Sequence, residues 1–193
     1  MKYTLVILAS GLSRRFGSNK LFYNFLGMPL IEYTLKNLDE SSADERIIVF
    51  NELNYYKVNG YKVIFNKEPE LGISKSIKLS IESISNDLSV FALADMPFVT
   101  GKMIDSFVNE IHQNKKHLGM FFCDNLYAPP SAFSREYFND LMSLNGDHGG
   151  KSIIMSNKND AFFYKVKCDV LYDIDKIEDV EKLHRVYRKY IKF

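Results

Sequence analysis

Near its start the 193-residue chain carries the run Ser10-Gly11-Leu12-Ser13-Arg14-Arg15-Phe16-Gly17-Ser18-Asn19-Lys20. Glycines let backbone N–H groups come close to a ligand, and Ser13 and Ser18 add hydroxyl donors. Arg14 and Arg15 offer bidentate forks and Lys20 a point charge, so the stretch suits the polyphosphate of a nucleotide. It matches neither standard phosphate loop. Five residues, not four, separate Gly11 from Gly17, and Ser18-Asn19-Lys20 follows, so the Walker pattern fails; G-x-G-x-x-G is absent as well. A basic surface turn is the competing reading. The position directly behind an apolar N-terminal run favours phosphate.

A second chemical signal is Asp95, which ends the apolar run Leu88-Ser89-Val90-Phe91-Ala92-Leu93-Ala94 and precedes Met96-Pro97. Mg²⁺ takes one or two carboxylates plus phosphate oxygens and water, so one well-placed aspartate beside a triphosphate suffices. Pro97 then stops strand pairing. An aspartate that merely opens a turn is the alternative. Gly72 precedes a run of isoleucines at helical spacing, so free N–H groups of a first helical turn, with Ser74 and Ser76, could meet a base or ribose. An ordinary helix start capped by serines is the plainer reading. The glycine-rich run Asn145-Gly146-Asp147-His148-Gly149-Gly150-Lys151 suits a substrate phosphate, with His148 an exposed turn residue.

The segment from Leu8 to Leu21, continuing through Leu26-Gly27-Met28-Pro29-Leu30-Ile31-Glu32, closely resembles the signature of the nucleotidyltransferases that act on molybdenum cofactor. It is more similar to the cytidylyltransferase branch, including the maturation proteins of molybdenum hydroxylases, than to the guanylyltransferase branch. Those branches read L-A-A-G-x-S-x-R-[MF]-G-x-x-K and L-A-G-G-x-S-x-R-M-G-x-D-K. Here Ser10 stands at the third position, and Asn19 replaces the guanylyl Asp. The resemblance implies that Arg15 and Lys20 hold and polarise the triphosphate, with Ala9, Ser10, Gly11 and Ser13 around it.

Leu93-Ala94-Asp95-Met96-Pro97-Phe98 matches the family's L-x-D-x-P, whose Asp coordinates catalytic magnesium. Gly72 with Ser76 matches its G-x-x-x-S nucleotide contact. Gly146 to Lys151 resembles its G-D-x-G-A-R on the cofactor-substrate side, implying roles for Asp147 and Lys151; a lysine cannot reproduce the arginine fork. Pro130-Ser131-Ala132-Phe133 stands where the family has G-x-P-x-x-F, with Ala128 for Gly. Asp173-Ile174-Asp175-Lys176-Ile177-Glu178-Asp179 resembles D-I-D-T-P-E-D. Asp147 and Asp173 are the candidates for a second metal ligand. An EF-hand is excluded, and helix capping accounts for Asp175 and Glu178.

These residues need a scaffold. Buried-strand patterns cover residues 3–9, 46–50, 61–65 and 88–94, rich in Val, Ile, Leu, Phe and Tyr. Helical patterns lie between and after them: Ile31, Leu35 and Leu38 behind Pro29; Ile73, Ile77, Ile81 and Ile84; and Met103 to Ile111 behind Thr100 as N-cap. A last helix carries Ile177, Val180, His184, Tyr187 and Ile191 after an Asp175/Glu178 capping box, with Arg185, Arg188, Lys189 and Lys192 on its polar side. Strand–helix alternation points to a mostly parallel sheet covered on both faces, with ligands beyond the carboxyl ends of the strands.

Composition narrows the function classes. With 25 basic against 24 acidic residues there is no global field to recruit nucleic acid or an anionic membrane. No apolar run approaches the ~18 residues of a membrane span. Residues 1–9 are too short for a signal peptide's apolar stretch and run on towards Arg14-Arg15, so they read as a strand. Cys123 and Cys168 fit no metal spacing and imply no disulfide framework; a cytoplasmic address follows by default.

The expectation is one domain over residues 1–193, an α/β/α three-layer sandwich with a mostly parallel doubly wound sheet of the nucleotide-diphosphosugar transferase type. The resemblance implies Mg²⁺-dependent transfer of CMP from CTP to the phosphate of molybdopterin. Guanylyl transfer from GTP, a sugar-phosphate acceptor, and a non-catalytic cofactor-binding role in molybdenum hydroxylase maturation remain alternatives.

Overall fold

The computed structural model describes residues 1–191, with side chains as far as residue 188. Lys192 and the side chains of Lys189 and Ile191 therefore lie outside the described residues. The chain opens with β1 (Thr4–Ala9), a small hairpin of β2 (Asn24–Phe25) and β3 (Met28–Pro29), and α1 (Leu30–Leu38). It continues through β4 (Glu45–Phe50), β5 (Lys62–Phe65), α2 (Ile73–Ile81), β6 (Leu88–Leu93) and α3 (Gly101–Gln113). The second half holds β7 (Leu118–Cys123), β8 (Leu126–Ser134), α4 (Phe138–Ser143), α5 (Lys151–Ser156), β9 (Ala161–Lys165) and α6 (Asp179–Ile191).

Seven strands form one sheet in the order β5-β4-β1-β6-β8-β7-β9. Only β8 runs against the rest, pairing antiparallel with both β6 and β7. The central strand β1 is buried along its whole length, and its two faces feed different cores. Leu5 and Ile7 face the layer of α1 and α3, where Ile31, Leu38, Ile104 and Phe107 pack. Val6 and Leu8 face the layer of α2, α4 and α5 with Ile77, Leu141 and Ile154. Each such aliphatic side chain removed from water contributes about 1.5–3 kcal/mol before entropy is counted, which is why these strands read as unbroken apolar runs. A smaller cluster joins α6 to the hairpin through Phe25, Leu30, Ile174 and Leu183. Three layers around a mostly parallel sheet is the architecture the alternation implied.

Two expectations need correction, and three strands go beyond the sequence reading. The strands β7, β8 and β9 were not read from the sequence; β8 contains Pro129-Pro130, which lack ladder donors, and its pairing with β7 shifts register between Met120 and Phe121. The last helix begins at Asp179, not behind Asp175. Asp179 Oδ2 accepts from the backbone N–H groups of Asp175 and Lys176, at 3.1 and 2.9 Å, and so closes the turn that leads into the helix, and Ile177 is exposed. Finally, Cys123 and Cys168 are paired as a disulfide, their Cα atoms 5.1 Å apart across 45 residues of sequence. Spacing along the chain carries no trace of it, because β9 brings Cys168 back to the end of β7 only in three dimensions.

Candidate active site

The strand order changes direction at β1: β4 lies on one side and β6 on the other, so the carboxyl ends of β1 and β6 flank a topological switch point. The loop after Ala9 and the turn after Leu93 both leave the sheet there. Between them lies a cleft of about 410 Å³ whose walls include Ser10, Ser13, Arg15, Lys20, Asp95 and Asp175. The two loops singled out by composition thus share one cavity.

Lys20 is the centre of its charge pattern. Its Nζ lies 2.5 Å from Asp95 Oδ2 and 3.3 Å from Asp175 Oδ1, and donates to the carbonyl of Ile174 at 2.7 Å. Burial by itself pulls the Lys20 pKa down, but the charge and hydrogen bond of Asp95, then those of Asp175, raise it above its ordinary value, so the ammonium stays charged. Arg15 reaches the same arm, Nη1 lying 3.0 Å from Asp175 Oδ2. Asp173 is held in its protonated form more than usual by burial first, then by the negative charge of Asp95 and of Asp175. Two carboxylates therefore hold one lysine, and Asp173 feels the charge of all three. Asp175, assigned to helix capping from the sequence, belongs to this cluster instead.

The loop is closed from within. Ser13 has a positive φ of 51°, its carbonyl accepts from Phe16 N at 3.0 Å, and its Oγ accepts from Lys20 N at 3.3 Å. Gly17 (φ 80°) supplies the left-handed turn that a side chain resists. Below the loop sit Asn51 and Asn54, both buried, with side chains bonded to its carbonyls. Sequence reasoning missed them. Their one signal is position: Phe50 at the end of β4 pairs in register with Ala9, so the residues that follow must lie beside the loop.

The remaining candidates divide. Gly72 lines the cleft at φ 84°, and a Cβ there would fall 2.4 Å from the carbonyl carbon of Gly146 and 2.6 Å from Asp147 Oδ1. That close approach, with Ser74 N donating to Gly146 O at 3.2 Å, brings Asp147 to the cleft wall. Ser76 behaves differently from expectation. It is buried, its Oγ is 2.5 Å from Ser10 Oγ and accepts from Asn66 Nδ2 at 3.0 Å, so it props Ser10 from behind and does not line the cleft. Lys151 is exposed and donates to the Tyr127 carbonyl at 2.8 Å, outside the cleft wall. His148 is exposed, as read. Arg185 and Arg188 are exposed on α6. Among the described residues no helix is long and apolar enough to cross a membrane.

Known proteins give this geometry a context. A family model described as the MobA-like NTP transferase domain matches residues 5–161. A protein of Natranaerobius thermophilus called probable molybdenum cofactor guanylyltransferase is 33% identical over 57% of this chain, a stretch that spans 55% of that relative. A protein of the same name from Clostridium perfringens is 26% identical over the whole chain and 89% of its own length. In structure, Rv0371c of Mycobacterium tuberculosis in complex with manganese superposes with a TM-score of 0.80 at 19% identity, covering 95% of this chain and 98% of that one. At that identity the likeness speaks for the α/β fold alone. The family match spans both loops of the cleft, and with it the chain belongs to the MobA-like NTP transferase domain family.

Proposed function

We propose that the chain is a nucleotidyltransferase that moves a nucleoside monophosphate from a nucleoside triphosphate to the phosphate of a molybdopterin-type cofactor. The observation that carries this reading is the meeting of Lys20, from the basic loop, with Asp95, from the end of β6, at 2.5 Å in one cleft. An oxygen of the acceptor phosphate attacks the α-phosphorus, the bond from the α-phosphorus to the bridging oxygen breaks, and pyrophosphate leaves. Such a transfer asks for positioning and charge stabilisation, not a covalent nucleophile. Lys20 and Arg15 offset charge on the triphosphate, and backbone N–H groups of residues 10–13 bind it. Asp175, now paired with both cations, yields them to the phosphates.

The chemistry of a hard divalent cation suits Asp95, whose carboxylate lines the cleft, with Asp173 as a further carboxylate whose pKa is raised by burial first and then by the charge of Asp95 and Asp175. Mg²⁺ bound there would neutralise phosphate charge. Asp147, across the cleft, is the weaker second ligand.

For the base, CTP is the first reading. It rests on the Ala-branch signature around Ser10, whose hydroxyl turns inward to Ser76 and so leaves the residue equivalent in bulk to alanine on its cleft side. GTP is the second reading, supported by the guanylyltransferase name of the relatives. The test is pyrophosphate release with Mg²⁺ and molybdenum cofactor, CTP against GTP. Turnover that Asp95→Asn lowers by about 100-fold or more is expected. Full turnover by that variant would remove the metal site from Asp95. Cofactor binding with neither nucleotide used would leave an accessory role.

A further inference from the structure

The residue that most constrains the triphosphate loop lies outside the chemistry described above. We infer that Asn54 is a positioning residue that ties both ends of the loop with one buried amide and aims its N–H groups at a polyanion. The inference rests on the triphosphate reading of the cleft.

The Asn54 side chain is 3% exposed and every polar atom of it is used. Nδ2 donates to Gly11 O at 2.6 Å and to Ala9 O at 3.1 Å, at the leading end of the loop. Oδ1 accepts from Asn19 Nδ2 at 2.5 Å, at the trailing end. Asn19 in turn caps the turn that carries Lys20, its Oδ1 accepting from Leu21 N at 3.2 Å. The clasp is itself held, because Asn51 Oδ1 accepts from Leu53 N and Asn54 N, and Asn51 Nδ2 donates to Ser10 O at 2.7 Å.

Three successive carbonyls, those of Ala9, Ser10 and Gly11, are thus drawn to the asparagine side. In a trans peptide the N–H points opposite to the C=O of the same plane, so the N–H groups of Ser10, Gly11 and Leu12 are turned the other way. That other way is the cleft, whose walls include residues 9–13 and neither asparagine. Carbonyl oxygens facing a polyphosphate would repel it; their removal to the far side, with donors left in front, makes a cradle for an anion. The carbonyl tie governs how the resting triphosphate is bound. The Asn19 tie governs where Lys20 stands when charge develops on the leaving pyrophosphate.

Two substitutions separate these roles. Asn54→Asp keeps the shape and the acceptor for Asn19 but replaces both carbonyl donors by a negative oxygen. Asn19→Ala leaves the carbonyl ties intact and removes the trailing one, together with the Asn19 cap on the Lys20 turn and its bond to the Leu53 carbonyl. Equilibrium binding of CTP and of inorganic triphosphate with Mg²⁺, amide exchange at residues 10–12, and the KM-against-kcat split are measured for each, with thermal unfolding as the check on folding. Asn54→Asp is expected to weaken triphosphate binding by about tenfold or more and to speed exchange at 10–12. Asn19→Ala is expected to lower kcat by about tenfold with binding changed less than about threefold. If Asn54→Asp does not fold, Asn51→Asp removes one donor from the Ser10 carbonyl and is expected to give a smaller loss of the same kind. Wild-type binding and exchange in a folded Asn54→Asp would overturn the inference, as would equal losses in both variants. Binding and exchange need no turnover. Absence of pyrophosphate release would therefore count against the proposed reaction and leave this result readable.

Discussion

The two ends of the central strands are built on opposite principles. At the amino ends of β1, β4 and β6 a dense set of hydrogen bonds answers the polar side chains, with Ser41 Oγ and Arg46 Nε the buried exceptions. Thr4 Oγ1 donates to Glu45 at 2.6 Å and accepts from Asn86 at 3.0 Å, while Ser85 gives Glu45 both its N–H and its hydroxyl at 3.0 Å. Tyr3 OH donates to Asp105 at 2.7 Å, which also takes the backbone and hydroxyl of Ser42. At the carboxyl ends Lys20 pairs with Asp95 and Asp175, and Arg15 with Asp175, along the wall of an open cleft. One end spends its polar groups on hydrogen bonds within the protein and so stabilises the fold. The other concentrates paired charges along a cleft, where a ligand can exchange partners with them, which is how a rigid sheet carries a site without being built from it.

Substitutions at the two ends should therefore fail in different measurements. The largest effect belongs to the crevice. Lys20→Met removes the cation that both Asp95 and Asp175 face, and should cut turnover by about 100- to 1000-fold, in the range for losing one preorganised donor. Its thermal midpoint should fall as well, because the buried Asp95 carboxylate loses its paired cation, so turnover is read per folded molecule below that midpoint. A turnover loss explained by unfolding would break the contrast. At the other end Asp105→Ala leaves the buried Tyr3 hydroxyl without its acceptor, at a cost of about 1–3 kcal/mol of stability. Chemical denaturation reads that loss. An accompanying change in the KM for nucleotide would mean that the two ends are coupled through β1.

The contrast also explains how much could be read from the chain. Residues 3–9 and 88–94 are continuous apolar runs because both faces of their strands are buried, and the chemistry-bearing residues follow them immediately. Loop and carboxylate were therefore legible together: Lys20, Arg15 and Asp95 meet as the spacing and the resemblance implied. Side-chain direction was not legible. Ser76 and Lys151 sit in matching segments, yet one hydroxyl turns inward to Ser10 and one ammonium outward to Tyr127. Asp175 resembles a cap because an acidic residue before a helix usually is one; the helix starts at Asp179, whose carboxylate closes the turn before it, and the Asp175 carboxylate faces Arg15 and Lys20. Asn51 and Asn54 have no motif at all. Their role arises from the register of β4 against β1, which pattern along one strand does not encode.

The smallest expected effect tests whether the amino end is held by charge as well as by hydrogen bonds. Burial alone would raise the Glu45 pKa. The N–H of Ser85, the hydroxyls of Thr4 and Ser85, and the charge of Lys62 together bring it below its ordinary value of 4.5. A carboxylate with a lowered folded-state pKa contributes stability that is present above its unfolded value and is lost as pH falls through the folded one. The wild type should thus lose this contribution progressively from about pH 4.5 downward. Glu45→Gln, which keeps an acceptor for Thr4 but has no charge to titrate, should be less stable near neutrality and show a shallower decline below pH 4.5. Thermal midpoints of the two proteins across that window read the difference. Parallel curves would assign the hold of Glu45 to its neutral hydrogen bonds, and the ionic difference between the two ends of the sheet would then be sharper still, with charge doing work only beside the cleft.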